Sequence, residues 1–176
     1  MHPTASFQYC PSCGSPDSPQ AGHPFRCGEC GFVLYVNTTC ATAAFLERPD
    51  GTVLFIRRAK DPAKGMLAIP GGFIDPGETA EFGLRREFQE EVGLAVGDIE
   101  YLCSHPNVYN YRGISYQVLD FFFTATSAPD AEPQSLDGVA SFEWLMPEEV
   151  DADEIAFPSM REAMVAFLEK RNAARI

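Results

Sequence analysis

Positive charge is scarce in this 176-residue sequence: 13 Lys and Arg face 25 Asp and Glu, for a formal net charge of −12 with only three His. That deficit argues against non-specific binding to nucleic acid or to an anionic membrane, both of which require a basic footprint. It also makes a phosphate-bearing substrate awkward unless metal ions reverse the local sign. No apolar run approaches the roughly 20 residues of a membrane span. The N-terminal stretch MHPTASFQYCPSCG has neither a basic n-region nor an apolar h-region, so no secretory signal is expected and a cytoplasmic location is the default. Internal repeats and low-complexity segments are missing as well.

What is present suffices for one full domain and a small appendage: 45% hydrophobic residues, 14 of them Phe. The most informative stretch runs from Gly71 to Leu94, GGFIDPGETAEFGLRREFQEEVGL. Thr79 is placed to cap a helix, Glu81 suits its positive first turn, and Gly93 suits its C-terminal stop. On such a helix Glu87, Glu90 and Glu91 fall within an arc of about 100°. Leu84, Phe88 and Val92 form an apolar stripe beside them. Like charges at this spacing destabilise an exposed helix by roughly 0.2–0.5 kcal/mol per pair, which Arg86, four residues before Glu90, partly offsets, with Arg85 as a further helper. Gly83 inside the helix costs about 1 kcal/mol relative to Ala. Taken alone, three glutamates on a helix are most simply a solvated acidic face. Hard oxygen ligands on one rigid face are also what Mg²⁺ or Mn²⁺ requires, with waters and substrate phosphates completing the shell.

Four of the six cysteines form two C-x-x-C-G knuckles, Cys10-Pro11-Ser12-Cys13-Gly14 and Cys27-Gly28-Glu29-Cys30-Gly31. Cys10, Cys13, Cys27 and Cys30 can converge on one tetrahedral Zn²⁺, a closed site that serves folding rather than catalysis. His23 in the spacer reads as an ordinary loop residue. Residues 1–8 read as a flexible lead, and Tyr9, Phe25, Phe32 and Tyr35 as the apolar cluster around the knuckles. Cys40 and Cys103 lie in apolar, strand-like segments and are expected to be buried, inert thiols.

Further along, a strand is expected from Phe32 to Val36. Thr38–Leu46 and Thr52–Arg58 read as a hairpin turning at Pro49-Asp50-Gly51, and Met66–Ile69 as a short strand feeding the glycine turn. Asp98–Ser104 and Tyr116–Thr124 read as strands separated by a polar-aromatic loop, HPNVYNYRGIS, suited to contact a base or ribose. Val139–Leu145 reads as a strand. Ser159-Met160-Arg161-Glu162 reads as a capping box opening a last helix, with Ala163, Val165, Ala166, Phe167 and Leu168 as its packing surface.

The spacing Gly72, five residues, Glu78, seven residues, then Arg86-Glu87-Phe88-Gln89-Glu90-Glu91-Val92-Gly93-Leu94 resembles the Nudix box of the Nudix hydrolases at every polar and glycine position. Phe88 is the one departure, where the family more often has an aliphatic residue. The resemblance extends over roughly Asn37 to Arg171. It implies an α/β fold, the Nudix α/β/α sandwich with a mixed sheet (37–176), preceded by a small zinc ribbon (1–36).

The resemblance further implies hydrolysis of the P–O–P bond of a nucleoside diphosphate linked to another group. Mg²⁺ or Mn²⁺ would be held by Glu87, Glu90, Glu91 and the Gly72 carbonyl. Arg86 would orient the glutamates and Glu78 would support them. The general base would be Glu87 or an outlying glutamate, Glu148, Glu149 or Glu154. A Cys₄ ribbon before a Nudix domain is the arrangement of NADH pyrophosphatases and of enzymes acting on ADP-ribose or FAD. Of the SQPWPFPxS array of the former, Ser104 and Pro106 match while the Gln, Trp and second Pro do not. Tyr109 and Tyr111 lie about where dinucleoside polyphosphate hydrolases place a substrate-binding tyrosine. The expected partner is a small-molecule nucleotide, with no nucleic acid and no membrane; a homodimer is compatible with the family. The alternative is a nucleotide-sensing regulatory protein whose ribbon binds a partner. Every acidic position of the box is intact, which favours the enzyme, and Arg26 is the lone basic residue from Tyr9 to Tyr35.

Overall fold

The computed structural model describes residues 1–16 and 24–174, which leaves His23 outside the described residues. Two compact units emerge, one formed by Met1–Thr39 with Val108–Gln117, the other by Cys40–Asn107 with Val118–Ile176.

In the first unit the N-terminus is ordered by local chemistry rather than forming a loose lead. Pro3–Ser6 makes a 3₁₀ turn whose first turn is capped by His2, the imidazole Nδ1 accepting from the Thr4 N–H at 3.3 Å. Thr4 is buried, and the Met1 ammonium donates to the Gly113 carbonyl at 3.3 Å and to Ser115 Oγ at 3.1 Å. Strands β1 (Phe25–Arg26) and β2 (Val33–Leu34) pair antiparallel. The small core is Phe25, Cys10 and Cys27, with Phe7, Phe32 and Leu34 packed on it. The Phe25 ring meets Phe7 and Phe32 edge-on at centroid separations of 5.4 and 6.3 Å. Tyr9 and Tyr35 do not join it; both are exposed. Phe7, assigned by sequence to the lead, takes a place in that core.

The larger sheet has strands β3 (Thr39–Glu47), β4 (Val53–Arg58), β5 (Leu67–Ala68), β6 (Gly71–Phe73), β7 (Ile99–Tyr111), β8 (Ile114–Thr126) and β9 (Val139–Leu145), most of it in the second unit, while residues 108–117 of β7, β8 and their turn count with the first. The order is β5-β4-β3-β8-β7, with β6 pairing β3 and β9 pairing β4. The expected hairpin is present: Glu47 pairs with Val53 across the Asp50-Gly51 turn, where Gly51 has φ +89°. Helices α1 (Ala80–Val92) and α2 (Pro158–Ala174) pack on the apolar core of the sheet. Leu84, Phe88 and Val92 are fully buried, as the helical stripe requires. From α2, Ala163, Met164 and Phe167 face inward and the Phe167 ring stacks on Phe45 at 4.5 Å. Val165, assigned to that surface, is exposed instead.

Two expectations are corrected by the backbone. The segment read as a loop between two short strands is the continuation of β7 and β8, which turn at Arg112 (φ +48°) and Gly113 (φ +82°). Two successive positive φ values fit the tight hairpin turn, whose twist matches that of the flanking strands. Pro106 is compatible with β7 because that strand lies at the edge of the sheet, where proline is tolerated. Ser159 is not a cap: α2 begins one residue earlier, at Pro158, whose fixed φ suits the first helical position. The Ser159 hydroxyl donates instead to Asp120 Oδ2 at 2.5 Å. Cys40 and Cys103 are half-buried rather than buried, and burial pushes the Cys103 thiol up.

Candidate active site

The glycine turn lets α1 approach the sheet. Strand β6 pairs with β3, Gly71 opposite Ala43 and Gly72 opposite Thr42. A Cβ on Gly71 would lie 2.1 Å from the Thr42 carbonyl oxygen, and one on Gly72 would lie 2.5 Å from Glu87 Cδ. Only glycine fits at either position while the Glu87 carboxylate rests against the strand. The Gly71 N–H donates to Glu91 Oε2 at 3.0 Å, so the same turn fixes a second carboxylate.

Helix α1 has the ends expected from sequence. The Thr79 side chain accepts from the Phe82 N–H, and Gly93 stops the helix in the left-handed conformation at φ +67°. Backbone donors of a distant loop complete the C-terminus: the Gln134, Leu136 and Asp137 N–H groups donate to the Val92, Glu91 and Glu90 carbonyls at 2.9, 3.0 and 3.2 Å.

Arg86 is the hub. Its Nε and Nη2 donate to Glu78 Oε1 and Oε2 at 2.8 and 3.0 Å in a two-pronged pair. Nη2 also donates to the Phe73 carbonyl at 2.8 Å, while Nη1 donates to Glu87 Oε1 at 2.8 Å and Glu90 Oε2 at 3.0 Å. Arg85, expected to help, turns away and donates to the Glu81 and Gly97 carbonyls. The Asp75 N–H donates to Glu78 Oε2 at 2.9 Å. Gly83 is now explained: a Cβ there would sit 3.1 Å from Glu78 Oε2 and 3.6 Å from Ile74, so the missing side chain makes room for the Glu78 loop.

The electrostatics divide the glutamates. The Arg86 guanidinium, with the Asp75 N–H, holds Glu78 below the usual carboxylate range. Burial pushes Glu87 up against the pull of Arg86. Burial pushes Glu91 up to about 8, although the Gly71 N–H opposes it. Arg86 occupies one oxygen each of Glu87 and Glu90, and Gly71 one oxygen of Glu91. One oxygen of each carboxylate thus takes no hydrogen bond from a described residue. Three hard oxygens, on half-buried Glu87 and Glu91 and exposed Glu90, match a divalent cation in type. Among the described residues the four cysteines, and not the glutamates, form a cluster that closes on a metal by itself, so waters and substrate oxygens would complete a shell on the carboxylates.

Several residues around these carboxylates carry no sequence signal. Arg58 exerts a favourable charge effect on Glu91 and lies 4.9 Å from the Phe157 ring centroid; Asp137 exerts the opposite effect and pairs with Lys60 at 2.6 Å. They come together only through the fold. Of the outlying glutamates, Glu148 lies 3.3 Å from Arg171 Nε, Glu154 lies 3.3 Å from Arg57 Nη2, and Glu149 is exposed. Tyr109 and Tyr111 sit on β7 in the first unit, their ring centroids 6.4 Å apart, with the Arg112 guanidinium 5.2 Å from the Tyr111 ring. They are not grouped with the glutamates in one unit.

The cysteine cluster is a separate centre. The Cys10 and Cys30 sulfurs are 3.8 Å apart, those of Cys13 and Cys27 are 3.9 Å apart, and all four lie within 4.8 Å of one another. A tetrahedron of Zn–S bonds of about 2.3 Å has edges of about 3.8 Å, so the thiols fit a zinc ion. Each knuckle closes the same way: the Gly14 N–H donates to the Cys10 carbonyl and the Gly31 N–H to the Cys27 carbonyl, with φ values of +72° and +70°. The Cys13 and Ser12 N–H groups pull the Cys10 thiol down to about 6, while, against the Ser15 N–H, the Cys30 sulfur and burial push the Cys13 thiol up to about 12, as expected of four crowded sulfurs that share their negative charge.

The family model for the NUDIX domain matches residues 38–167. The chain belongs to the Nudix family. It is 34% identical over 104 residues to the NAD-capped RNA hydrolase NudC of Deinococcus radiodurans, covering 57% of this chain and 37% of that protein. It is 43% identical over 61 residues to the ADP-ribose pyrophosphatase of Methanocaldococcus jannaschii, covering 35% of this chain and 36% of that protein. The matched segment thus spans little more than a third of either relative's length. A crystal structure of a Nudix hydrolase from Nitrosomonas europaea superposes with a TM-score of 0.67 at 22% identity, covering 95% of this chain and 93% of that one, and supports the Nudix fold. No helix among the described residues is long and apolar enough to cross a membrane.

Proposed function

We propose that this Nudix protein is a divalent-metal-dependent pyrophosphohydrolase that cleaves the P–O–P bond of a nucleoside diphosphate derivative of the NAD(H), ADP-ribose or FAD type. Residues 37–176 form the catalytic domain and residues 1–36 a Cys₄ zinc ribbon. The observation that carries this reading is the Arg86-centred array, in which one guanidinium orients Glu78, Glu87 and Glu90 while Gly71 orients Glu91.

Glu87, Glu90 and Glu91, with the Gly72 carbonyl, are the residues that would hold Mg²⁺ or Mn²⁺. When bound, the metal supplies charge neutralisation for the diphosphate and acidifies an attacking water. The chain's own residues do the positioning. Glu78 keeps Arg86 in place, Arg86 keeps one oxygen of Glu87 and of Glu90 turned inward, and the glycine turn sets the depth of Glu87. Glu87 or an outlying glutamate among Glu148, Glu149 and Glu154 takes the proton from water.

The relatives named for NAD-capped RNA and for ADP-ribose share this chemistry, a diphosphate bridge attached to a nucleoside. The acidic balance of the chain favours a small nucleotide over a nucleic acid. The test is product release from NADH, NAD⁺, ADP-ribose, FAD, diadenosine polyphosphates and nucleoside triphosphates with Mg²⁺ or Mn²⁺. A clear kcat/KM preference among the first four is expected; no turnover on any of them, with zinc and fold intact, would leave a nucleotide sensor as the better account.

A further inference from the structure

Beside the glutamate array, within the second unit, one buried polar group is left without a partner. Thr42, on β3, is 1% exposed, and its Oγ1 makes no hydrogen bond although it is withdrawn from water. A hydroxyl buried in this way costs the fold its desolvation without the bond that would offset it. Valine, equally β-branched and of nearly the same shape, would carry no such cost. The choice of threonine therefore calls for a reason other than packing.

The strand register supplies one. Thr42 stands directly opposite Gly72 in the antiparallel β3–β6 pair. Opposed residues project to the same face, with Cα atoms about 4.5–5.5 Å apart. The neighbouring pair shows the rule at work, since a Cβ on Gly71 would lie 2.7 Å from Ala43 Cβ. A Cβ on Gly72 would lie 2.5 Å from Glu87 Cδ and 2.6 Å from each of its carboxylate oxygens. Thr42 thus projects on the face against which Glu87 rests. Alternation along β3 agrees: Phe45, three residues on, turns the other way and stacks on Phe167 of α2. Glu87 Oε1 accepts from Arg86 Nη1, whereas Oε2 takes no hydrogen bond from a described residue. An unused donor and an unused acceptor flank the same glycine.

We propose that Thr42 is a positioning residue of the divalent-metal site, its hydroxyl serving as the donor that fixes Glu87, directly or through one water, when that carboxylate holds a cation. The proposal rests on the reading of Glu87, Glu90 and Glu91 as metal ligands. Beside carboxylates only the donating role of a hydroxyl is of use. A neutral donor also suits the task better than a second cation would. Arg86 orients Glu87 but offsets its charge, whereas a hydroxyl orients the carboxylate and leaves that charge to the metal.

The experiment is titration of the zinc-loaded full chain with Mn²⁺, without any nucleotide, following the electron paramagnetic resonance signal of free Mn²⁺. Thr42→Val is expected to raise the Mn²⁺ Kd about tenfold, the scale of a lost hydrogen bond to a metal ligand. Its melting temperature should equal or exceed that of the wild type, because the unpartnered hydroxyl is gone. Thr42→Ala, which removes the hydroxyl without crowding the strand, should raise Kd to the same extent, and Thr42→Ser should restore wild-type affinity. An unchanged Kd in Thr42→Val and Thr42→Ala would overturn the proposal and leave the metal site standing. A rise in Kd that comes with a lower melting temperature and is not reversed by Thr42→Ser would make Thr42 a packing residue and overturn it too. A wild-type chain that binds no Mn²⁺ would overturn it together with the metal reading. Product release from the nucleotide panel tests the catalytic reading separately.

Discussion

Arg86 commits its five N–H donors to five acceptors, two on Glu78 and one each on Phe73, Glu87 and Glu90. Removing it leaves Glu78 and Glu87 without a counter-charge and lets both carboxylates turn. Arg86→Ala should therefore lower kcat by roughly 10–100-fold, the usual penalty for losing a group that orients metal ligands, and raise the Mg²⁺ concentration needed for half-maximal rate. An unchanged Mg²⁺ dependence would contradict the orienting role. The same pair has a pH signature. Arg86 holds the folded carboxyl of Glu78 below its unfolded value of about 4.3, so the stability it contributes is present above that pH and is lost as pH falls through the lower folded value. Urea midpoints from pH 6 down to pH 3 should show a shallower acid-side loss in Glu78→Gln than in the wild type; parallel curves would show that the pair is not coupled to folding.

Among the elements, α1 was the most legible in sequence and β7–β8 the least. The cap Thr79, the stop Gly93 and the stripe Leu84, Phe88 and Val92 are local signals, each set by residues within a turn or two. Phe88, the one departure from the family pattern, is fully buried and fills the core, so Phe88→Ala should cost about 3–5 kcal/mol of stability by chemical denaturation. A loss under 1 kcal/mol would mean that α1 is not anchored as described. The long hairpin was missed because Asn, Pro106 and Gly113 read as breakers, whereas an edge position and a two-residue turn accommodate them. The carbonyl-capping loop at Gln134–Asp137, the Arg58 and Lys60 environment and the use of Ser159 by Asp120 depend on partners far apart in sequence, which periodicity and spacing do not encode. Gly83 shows the same limit in one residue: its reason is the Glu78 carboxylate, visible only once the loop is folded back on the helix.

For the whole molecule, two kinds of candidate metal ligand coexist in one acidic chain, soft thiols in the first unit and hard carboxylates in the second. Phe25, the largest buried side chain of the small unit, has two of the four cysteines as its buried neighbours, so that core is too small to persist without a cross-link. One zinc per chain is expected by elemental analysis, and Cys27→Ser should release it together with the amide-exchange protection of residues 24–34. Retained protection in the zinc-free variant would contradict a folding role for the ion. The net charge of −12 means that the proposed diphosphate substrate would need bound cations to offset repulsion at the site.

The most direct test of the catalytic account is therefore product release from the diphosphate panel, measured on the wild type and on Glu90→Gln with and without Mg²⁺. The account predicts turnover of at least one NAD-, ADP-ribose- or FAD-type substrate that requires the divalent ion, and its near-complete loss in a folded, zinc-loaded Glu90→Gln. Turnover that survives Glu90→Gln, or that proceeds without a divalent ion, would contradict it.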